Sequence, residues 1–371
     1  MGDPLRHVKP AVRALKAYTL AARQAPIKIN QNENPFELPE AMKRRVLERA
    51  LARPWGRYPE FDPHELTAAL AEFAGWRADG VLAGNGSNEL IEALLLVTVG
   101  PGTKVVIPEP TFTLYALLTS ILGGEAVRVS LGPDLEYDAD TIAQARRQRE
   151  ASVTIVCSPN NPTGGTLSRE AVERLCAEGD GLVVIDEAYH EFAGESVVPL
   201  LAAHENLVVL RTFSKAMSLA GLRVGYLLAH PSLVREIDKA RLPYNINFFS
   251  QVAALAVLEE RGEMEANVLR LRRLRDGLYA DLQRLRGIRA YPSRANFILI
   301  ELEDREPRAV FESLHAAGVL VRDVSTYPRL GNCLRVTVGT EAENAALLEG
   351  LRRALAGEVP ARAAAGAREG R

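Results

Sequence analysis

The sequence is poor in cysteine and has no long apolar run. Its 371 residues include three cysteines, Cys157, Cys176 and Cys333, without the spacing of a disulfide framework or a zinc site. No stretch reaches the roughly 18 apolar residues that a membrane span needs, and residues 1–24 carry scattered charges without an apolar core. We therefore expect a cytoplasmic protein with reduced thiols and no bound metal.

Neither sign of charge dominates the chain. There are 45 Lys and Arg residues against 47 Asp and Glu residues, which gives a formal net charge of −2. This balance argues against nucleic acid or an anionic membrane as the main partner. The remaining composition, 47% apolar and 25% charged, is ordinary for a globular protein, and the length suffices for two domains.

Three polar motifs each follow an apolar, strand-like run: SPNNPTG at residues 158–164, VVIDEAY at 183–189 and RTFSKA at 211–216. Taken singly, each has an ordinary explanation as a turn, a helix cap or a solvated lysine. Taken in order, they supply an amide from Asn161, a carboxylate from Asp186 and an amine from Lys215. A pyridoxal phosphate site needs these groups, because the amine bonds to the cofactor aldehyde and the carboxylate keeps the pyridine nitrogen protonated.

A glycine-containing segment is a candidate for holding the phosphate of that cofactor. The run GNGSN at residues 84–88 lies between a strand-like run and a helix expected to begin near Glu89. Backbone N–H groups at such a turn, together with the helix N-terminus, suit a phosphate, although a plain strand-to-helix turn is the alternative. We expect the phosphate to be held by Ser87, Asn88, Thr212, Ser214 and the permanent cation of Arg223.

Short apolar runs alternate with helical patterns over residues 81–228, which predicts an α/β domain with a seven-stranded, mainly parallel sheet covered on both faces. The predicted strands lie at residues 81–82, 104–107, 126–129, 153–156, 182–185, 207–210 and 225–228. Ligands on such sheets bind beyond the carboxyl ends of the strands, where Asn161, Asp186 and Lys215 fall.

A different pattern follows residue 249, with a long amphipathic helix and then short strands and helices typical of a smaller α+β domain. We predict an N-terminal arm at residues 1–34, a large domain at 35–249, a small domain at 250–356 and a disordered tail at 357–371.

From about residue 18 to about residue 355 the chain resembles the pyridoxal phosphate-dependent aminotransferases of fold type I, and among them the histidinol-phosphate aminotransferases. The matching stretches are NENP at 32–35, RYP at 57–59, GNGSNE at 84–89, SK at 214–215, AGLRVG at 220–225, VRD at 321–323 and LRVTVG at 334–339. The resemblance implies transfer of an amino group from histidinol phosphate to 2-oxoglutarate, which gives glutamate.

The resemblance also implies roles for residues around the cofactor. Phe112 matches an aromatic residue that stacks on the pyridine ring, and Asn161 and Tyr189 match hydrogen-bond partners of the ring oxygen. Tyr58 matches a tyrosine that reaches the cofactor phosphate from the neighbouring subunit, which implies an obligate homodimer with shared sites. Lys215, once released by the substrate amine, is then the general base.

Arg335 matches the arginine that grips the substrate α-carboxylate, and a structural salt bridge is its alternative. Arg322 and Tyr18 match further contacts to the substrate phosphate. His190 has no second metal ligand at a workable spacing, so we interpret it as structural.

Three other functions compete with this interpretation. One is an aromatic amino acid aminotransferase, which has much of the same sequence pattern. Another is a phospho-amino-acid decarboxylase of the same fold, which would release carbon dioxide instead of transferring an amino group. A regulator built on such a domain carries a fused DNA-binding domain, for which the chain has neither space before residue 81 nor a basic segment.

Overall fold

The computed structural model describes residues 3–15 and 23–357. The described residues form thirteen strands: β1 (Ile27–Lys28), β2 (Val81–Gly84), β3 (Lys104–Glu109), β4 (Glu125–Ser130), β5 (Val153–Cys157), β6 (Leu182–Asp186), β7 (Leu207–Thr212), β8 (Gly225–Ala229), β9 (Ile288–Ala290), β10 (Phe297–Leu302), β11 (Val319–Leu320), β12 (Arg322–Asp323) and β13 (Cys333–Thr337).

The same residues form thirteen α-helices: α1 (Pro10–Arg13), α2 (Glu40–Leu51), α3 (His64–Ala74), α4 (Ser87–Thr98), α5 (Leu114–Leu122), α6 (Ala139–Gln148), α7 (Arg169–Ala177), α8 (His190–Ala193), α9 (Pro231–Asp238), α10 (Phe248–Glu259), α11 (Gly262–Leu282), α12 (Pro307–Ala316) and α13 (Glu341–Ala356). None of these described helices is both long and apolar enough to cross a membrane.

The predicted seven-stranded sheet is confirmed. Its order is β2-β8-β7-β6-β5-β3-β4, and β8 alone runs antiparallel to its two neighbours. The central strands carry apolar side chains on both faces, such as Val183 and Val184 of β6, because helices cover the sheet on both sides. Since β5, β6 and β7 are adjacent and parallel, the polar residues after each strand meet at one edge.

Local sequence explains how the helices begin. Asp138 accepts hydrogen bonds from the backbone of Asp140 and Thr141 at the start of α6, and Thr340 with Glu343 forms a capping box at α13. Helix α4 begins at Ser87 rather than near Glu89, and no side chain caps it. The first backbone N–H groups of α4 therefore keep their capacity to bind an anion.

The C-terminal part has its own core, around a four-stranded antiparallel sheet of order β12-β13-β10-β9. Residues assigned to the arm reach this part, because β1 pairs in parallel with β11. Helix α10 packs instead on α2 and α3 and shares the core of the large sheet. The division into an arm and two domains stays a prediction, and residues 358–371 of the predicted tail lie outside the described residues.

Candidate active site

A cavity of about 280 Å³ lies at the carboxyl ends of β5, β6 and β7, where residues of the arm segment and of β12 and β13 also reach it. It is lined by Asn30, Gln31, Asn32, Ser87, Asn88, Phe112, Tyr115, Cys157, Asn161, Asp186, Ala188, Tyr189, Thr212, Ser214, Lys215, Arg223, Arg322, Tyr327 and Arg335. The structure thus brings together the predicted site residues except Tyr58 and Tyr18, and Tyr18 lies outside the described residues.

Lys215 lies in the loop that follows β7, and its side chain faces the cavity. Its Nζ donates a 2.8 Å hydrogen bond to the main-chain oxygen of Gln31 and lies 5.8 Å from the centre of the Tyr189 ring. Burial, followed by the positive charge of Arg335, lowers the pKa of Lys215 to about 7. A large share of the amine is therefore neutral at physiological pH, as a nucleophile or a general base requires.

Asp186, the last residue of β6, is 4% exposed. Its Oδ2 accepts a 2.6 Å hydrogen bond from Tyr115 Oη, and its Oδ1 accepts one of 3.0 Å from the backbone N–H of Ala188. Burial raises the pKa of Asp186, and these two donors oppose that rise. Helix α8 begins only at His190, so Asp186 closes a turn and does not cap that helix.

The corner of the cavity at the start of α4 is shaped for an anion. Gly86 has φ +79°, and a Cβ there would lie 2.4 Å from Arg223 Nη2, so only glycine lets the guanidinium pack against this turn. Arg223 Nη1 donates to Ser214 Oγ at 3.1 Å and to Ala220 O at 3.2 Å. Within the described ranges Arg223 makes no ion pair, so its charge remains available to a ligand.

Arg335 and Arg322 occupy paired positions on β13 and β12. Arg335 Nη1 donates to Asn161 Oδ1 at 2.5 Å, and Nη2 donates to the main-chain oxygen of Asn30 at 2.7 Å. Because the Asn161 oxygen is engaged, its amide nitrogen is the group left to donate to a ligand. The Arg322 side chain forms no hydrogen bond or ion pair with any residue in the described parts of the chain.

Two aromatic residues complete the walls near Lys215 and Asp186. The Tyr189 ring packs edge-on against Phe297 with centroids 5.2 Å apart, and its Oη accepts a 3.0 Å hydrogen bond from Asn32 Nδ2. Burial raises the pKa of Tyr189. Phe112 packs edge-on against Tyr115, with centroids 5.6 Å apart.

Tyr58 lies on the surface, outside the cavity of its own chain. It is 80% exposed and stacks on Tyr244, with ring centroids 4.4 Å apart. His190 is also outside the cavity lining, and its Nδ1 donates to the main-chain oxygen of Glu187 at 2.9 Å.

Sequence reasoning missed several residues that line the cavity: Asn30, Gln31, Asn32, Tyr115, Cys157, Ala188 and Tyr327. Tyr115 lies in the apolar pattern of α5, and the sequence gives no signal of its contact with Asp186. Asn32 belongs to a stretch that supports the family resemblance, but nothing in the sequence gives its partner.

A sequence profile described as aminotransferase class I and II matches residues 25–351. The chain belongs to the class I and II aminotransferases. It is 39% identical over 351 residues to a histidinol-phosphate aminotransferase of Chlorobium phaeovibrioides, an alignment that covers 94% of this chain and 97% of the relative. A histidinol-phosphate aminotransferase of Chlorobium phaeobacteroides is 41% identical over 347 residues, with coverage of 93% and 96%.

A solved structure has the same fold as this chain. The histidinol-phosphate aminotransferase of Sinorhizobium meliloti, solved in complex with pyridoxal-5'-phosphate, has a TM-score of 0.86 at 24% identity and shares the fold over 95% of this chain and 98% of its own.

Proposed function

We propose that this aminotransferase converts L-histidinol phosphate and 2-oxoglutarate to imidazole acetol phosphate and L-glutamate, a step of histidine biosynthesis, with pyridoxal phosphate as cofactor. The observation that carries the proposal is the grouping of Lys215 and Asp186 with Arg223, Arg322 and Arg335 around one cavity. Three arginines and the Lys215 amine face one carboxylate there, which suits a ligand set rich in phosphate and carboxylate groups. The names of the curated relatives support the choice of substrate.

The cavity residues fit each part of the cofactor. The Lys215 amine matches the aldehyde, the Asp186 carboxylate matches the pyridine nitrogen, and Arg223 with the uncapped start of α4 matches the phosphate. Ser87, Asn88, Thr212 and Ser214 supply further donors at the phosphate, and Phe112 supplies a ring face. When bound, pyridoxal phosphate supplies an electron sink that stabilises negative charge on the substrate carbon.

The protein residues then divide the work of the reaction. With pyridoxal phosphate bound, Lys215, whose pKa is lowered to about 7, would act as the general base that takes and returns the substrate proton. Asp186, held by Tyr115, would balance the positive charge of a protonated pyridine nitrogen. Asn161 and Tyr189 would donate hydrogen bonds to the ring oxygen of the bound cofactor and so stabilise the negative charge on that oxygen.

The arginines of β12 and β13, in the four-stranded antiparallel sheet, bind the substrate anions. Arg335 holds the substrate anion, which is the carboxylate of glutamate or 2-oxoglutarate in one half-reaction and the phosphate ester of histidinol phosphate in the other. Arg322 is an additional contact to that phosphate. Tyr18 is proposed as a second contact to that phosphate. The two arginines are paired across β12 and β13 and both line the cavity, so they can contact the same ligand.

A homodimer with shared sites is part of the proposal. Tyr58 and Phe61 are exposed and contact Tyr244, so aromatic side chains lie exposed together on this surface. Burial of this surface against a second copy would bring Tyr58 toward the partner's cofactor phosphate. Mixing Lys215→Ala subunits with Tyr58→Ala subunits should restore activity that neither parent has; no recovery on mixing contradicts shared sites.

The cytoplasm is the proposed location, in keeping with the three cysteines, which are buried free thiols.

One assay tests the substrate and separates the rival functions. The protein is incubated with pyridoxal phosphate and 2-oxoglutarate plus histidinol phosphate, phenylalanine or threonine phosphate, and glutamate and carbon dioxide are measured. The proposal requires glutamate to form fastest with histidinol phosphate and carbon dioxide to be absent. A preference for phenylalanine would establish the aromatic aminotransferase, and carbon dioxide from threonine phosphate would establish the decarboxylase.

A chemical label tests the cofactor site separately from turnover. Borohydride reduction of the yellow protein should fix the cofactor on Lys215, where peptide mapping detects it. Labelling of any other lysine would refute the assignment of the site.

A further inference from the structure

Asn32 is a buried residue in an uncommon backbone conformation at the edge of the cavity. Its φ is +55°, in the left-handed region that residues with a Cβ rarely occupy, although asparagine tolerates it better than most. The residue is 1% exposed. Such conformations cost free energy and persist where surrounding contacts hold them, frequently at functional sites. The contacts of Asn32 therefore indicate what this conformation achieves.

Asn32 is hydrogen-bonded to two residues of the C-terminal part, Thr337 at the end of β13 and Asn296 directly before β10. Thr337 Oγ1 accepts the backbone N–H of Asn32 at 3.0 Å and donates to Asn32 Oδ1 at 3.1 Å. Asn296 Nδ2 donates to the main-chain oxygen of Asn32 at 3.1 Å. Because Thr337 engages the amide oxygen, the Nδ2 group of Asn32 is turned toward the cavity wall.

That Nδ2 group donates to Tyr189 Oη at 3.0 Å. A phenol has one proton, and an oxygen that accepts a hydrogen bond from Asn32 directs this proton elsewhere. In residues 3–15 and 23–357 the Tyr189 hydroxyl has no acceptor for its proton. Since Tyr189 lines the cavity, the proton is available to a ligand there.

We propose that Asn32 is a positioning residue that makes Tyr189 a hydrogen-bond donor to the ligand beside Lys215. The inference rests on the proposed function, in which the acceptor is the negatively charged ring oxygen of pyridoxal phosphate. If the Asn32 amide had the opposite orientation, Tyr189 would donate to Asn32, and a lone pair would face the ring oxygen. Arg335 acts in parallel on Asn161, whose oxygen it engages so that the amide nitrogen faces the cavity.

Neutron diffraction of the deuterated, ligand-free protein tests the polarity of the Asn32 to Tyr189 hydrogen bond without any cofactor. The expected map has a deuteron of Asn32 Nδ2 pointing at Tyr189 Oη, and the Tyr189 deuteron pointing into the cavity. A Tyr189 deuteron on the line to Asn32 would overturn the inference.

The consequence for the cofactor is tested by a pH titration of its absorbance in four proteins: wild type, Asn32→Gly, Tyr189→Phe and the double variant. Glycine accepts φ +55°, so the substitution removes the amide without backbone strain. Loss of the donor should raise the midpoint of the colour change by roughly 0.4 to 1 pH unit in Asn32→Gly, because the charged ring oxygen loses support. In the Tyr189→Phe background the same change should have no effect on the midpoint.

A merely structural Asn32 gives a different pattern. Asn32→Gly would then lower the melting temperature in both backgrounds and leave the midpoint unchanged, which would overturn the inference. If Asn32→Gly fails to fold, Asn32→Asp keeps the shape of the side chain but can only accept. It should raise the midpoint more in the presence of Tyr189 than in Tyr189→Phe, and equal shifts in the two backgrounds would also overturn the inference.

An experiment that refutes the proposed function can be distinguished from one that refutes the role of Asn32. A wild-type protein that takes up no pyridoxal phosphate on Lys215 would refute the proposed function, while the neutron map would still decide the direction of the Asn32 hydrogen bond.

Discussion

Tyr115 Oη donates a 2.6 Å hydrogen bond to Asp186 Oδ2, although 71 positions separate the two residues in the chain. Tyr115 lies on α5 and is fully buried, while Asp186 ends β6. The backbone N–H of Ala188 donates to the other oxygen of Asp186, so each carboxylate oxygen has one protein donor. Together they restrict rotation of the carboxylate and favour its ionised form against the effect of burial.

We expect Tyr115→Phe to raise the pKa of Asp186 further and to lower turnover. A lost hydrogen bond to a charged acceptor corresponds to about 1.5 kcal/mol or more, so kcat should fall about tenfold, and the acid limb of the pH profile should move to higher pH. Tyr226→Phe is a matched control, because Tyr226 is buried and contacts Arg211 outside the cavity lining. An acid limb that moves equally in both variants would contradict the role of Tyr115.

Asp186→Asn should preserve folding while turnover falls by orders of magnitude. A neutral amide retains the shape of the side chain but cannot balance the charge of a protonated pyridine nitrogen. The measurements are urea unfolding of the cofactor-free protein and single-turnover kinetics with glutamate. Near-normal turnover in a well-folded variant would show that the electron-sink argument is wrong.

The sequence predicts the large sheet well, because its central strands are apolar runs and the polar motifs follow those runs directly. Asn161, Asp186 and Lys215 could be placed at one edge because adjacent parallel strands end there. Strands of two or three residues, such as β1 and β9, cannot be predicted in this way, because they are too short to form an apolar run. These strands form only because a partner strand is present.

Residues that act through distant partners could not be found from the sequence. Tyr115 sits in the apolar pattern of α5 and looks like a core residue until its contact with Asp186 is known. Asn32 depends on Thr337, which is 305 positions away. Neither pairing has a local signature, because hydrogen-bond partners across a fold are set by the packing of whole elements.

Substitution of Arg223 should affect binding of the cofactor, whereas substitution of Arg335 should affect use of the substrates. Arg223→Ala should weaken retention of pyridoxal phosphate without any substrate, because its guanidinium packs against the start of α4, the proposed phosphate site. Arg335→Ala should keep the yellow cofactor but lower kcat/KM for histidinol phosphate and glutamate alike. A desolvated, charge-assisted contact is worth roughly 1.5 to 3 kcal/mol, or about tenfold to over a hundredfold in kcat/KM.

Each arginine variant serves as the control for the other in dialysis and steady-state kinetics. An Arg335→Ala protein with lower stability but normal kinetics for both substrates would favour the structural salt bridge. The substrate carboxylate site would then have to be sought around Arg322.

Lys215 makes the stability of the cofactor-free protein depend on pH in a defined direction. Its pKa is about 7 in the folded protein against an ordinary value of 10.5, so between these values the unfolded chain binds a proton that the folded protein does not. The unfolding free energy of the wild type should therefore rise with pH across this interval relative to Lys215→Met, which lacks the amine. Urea unfolding should show that the unfolding free energy of the wild type is lowest relative to Lys215→Met below about pH 7. This difference in unfolding free energy should disappear as the pH approaches 10.5. A difference that stays constant over this range would mean that the amine keeps its proton in the folded state, and Lys215 would then lack the neutral form that the proposed reaction requires.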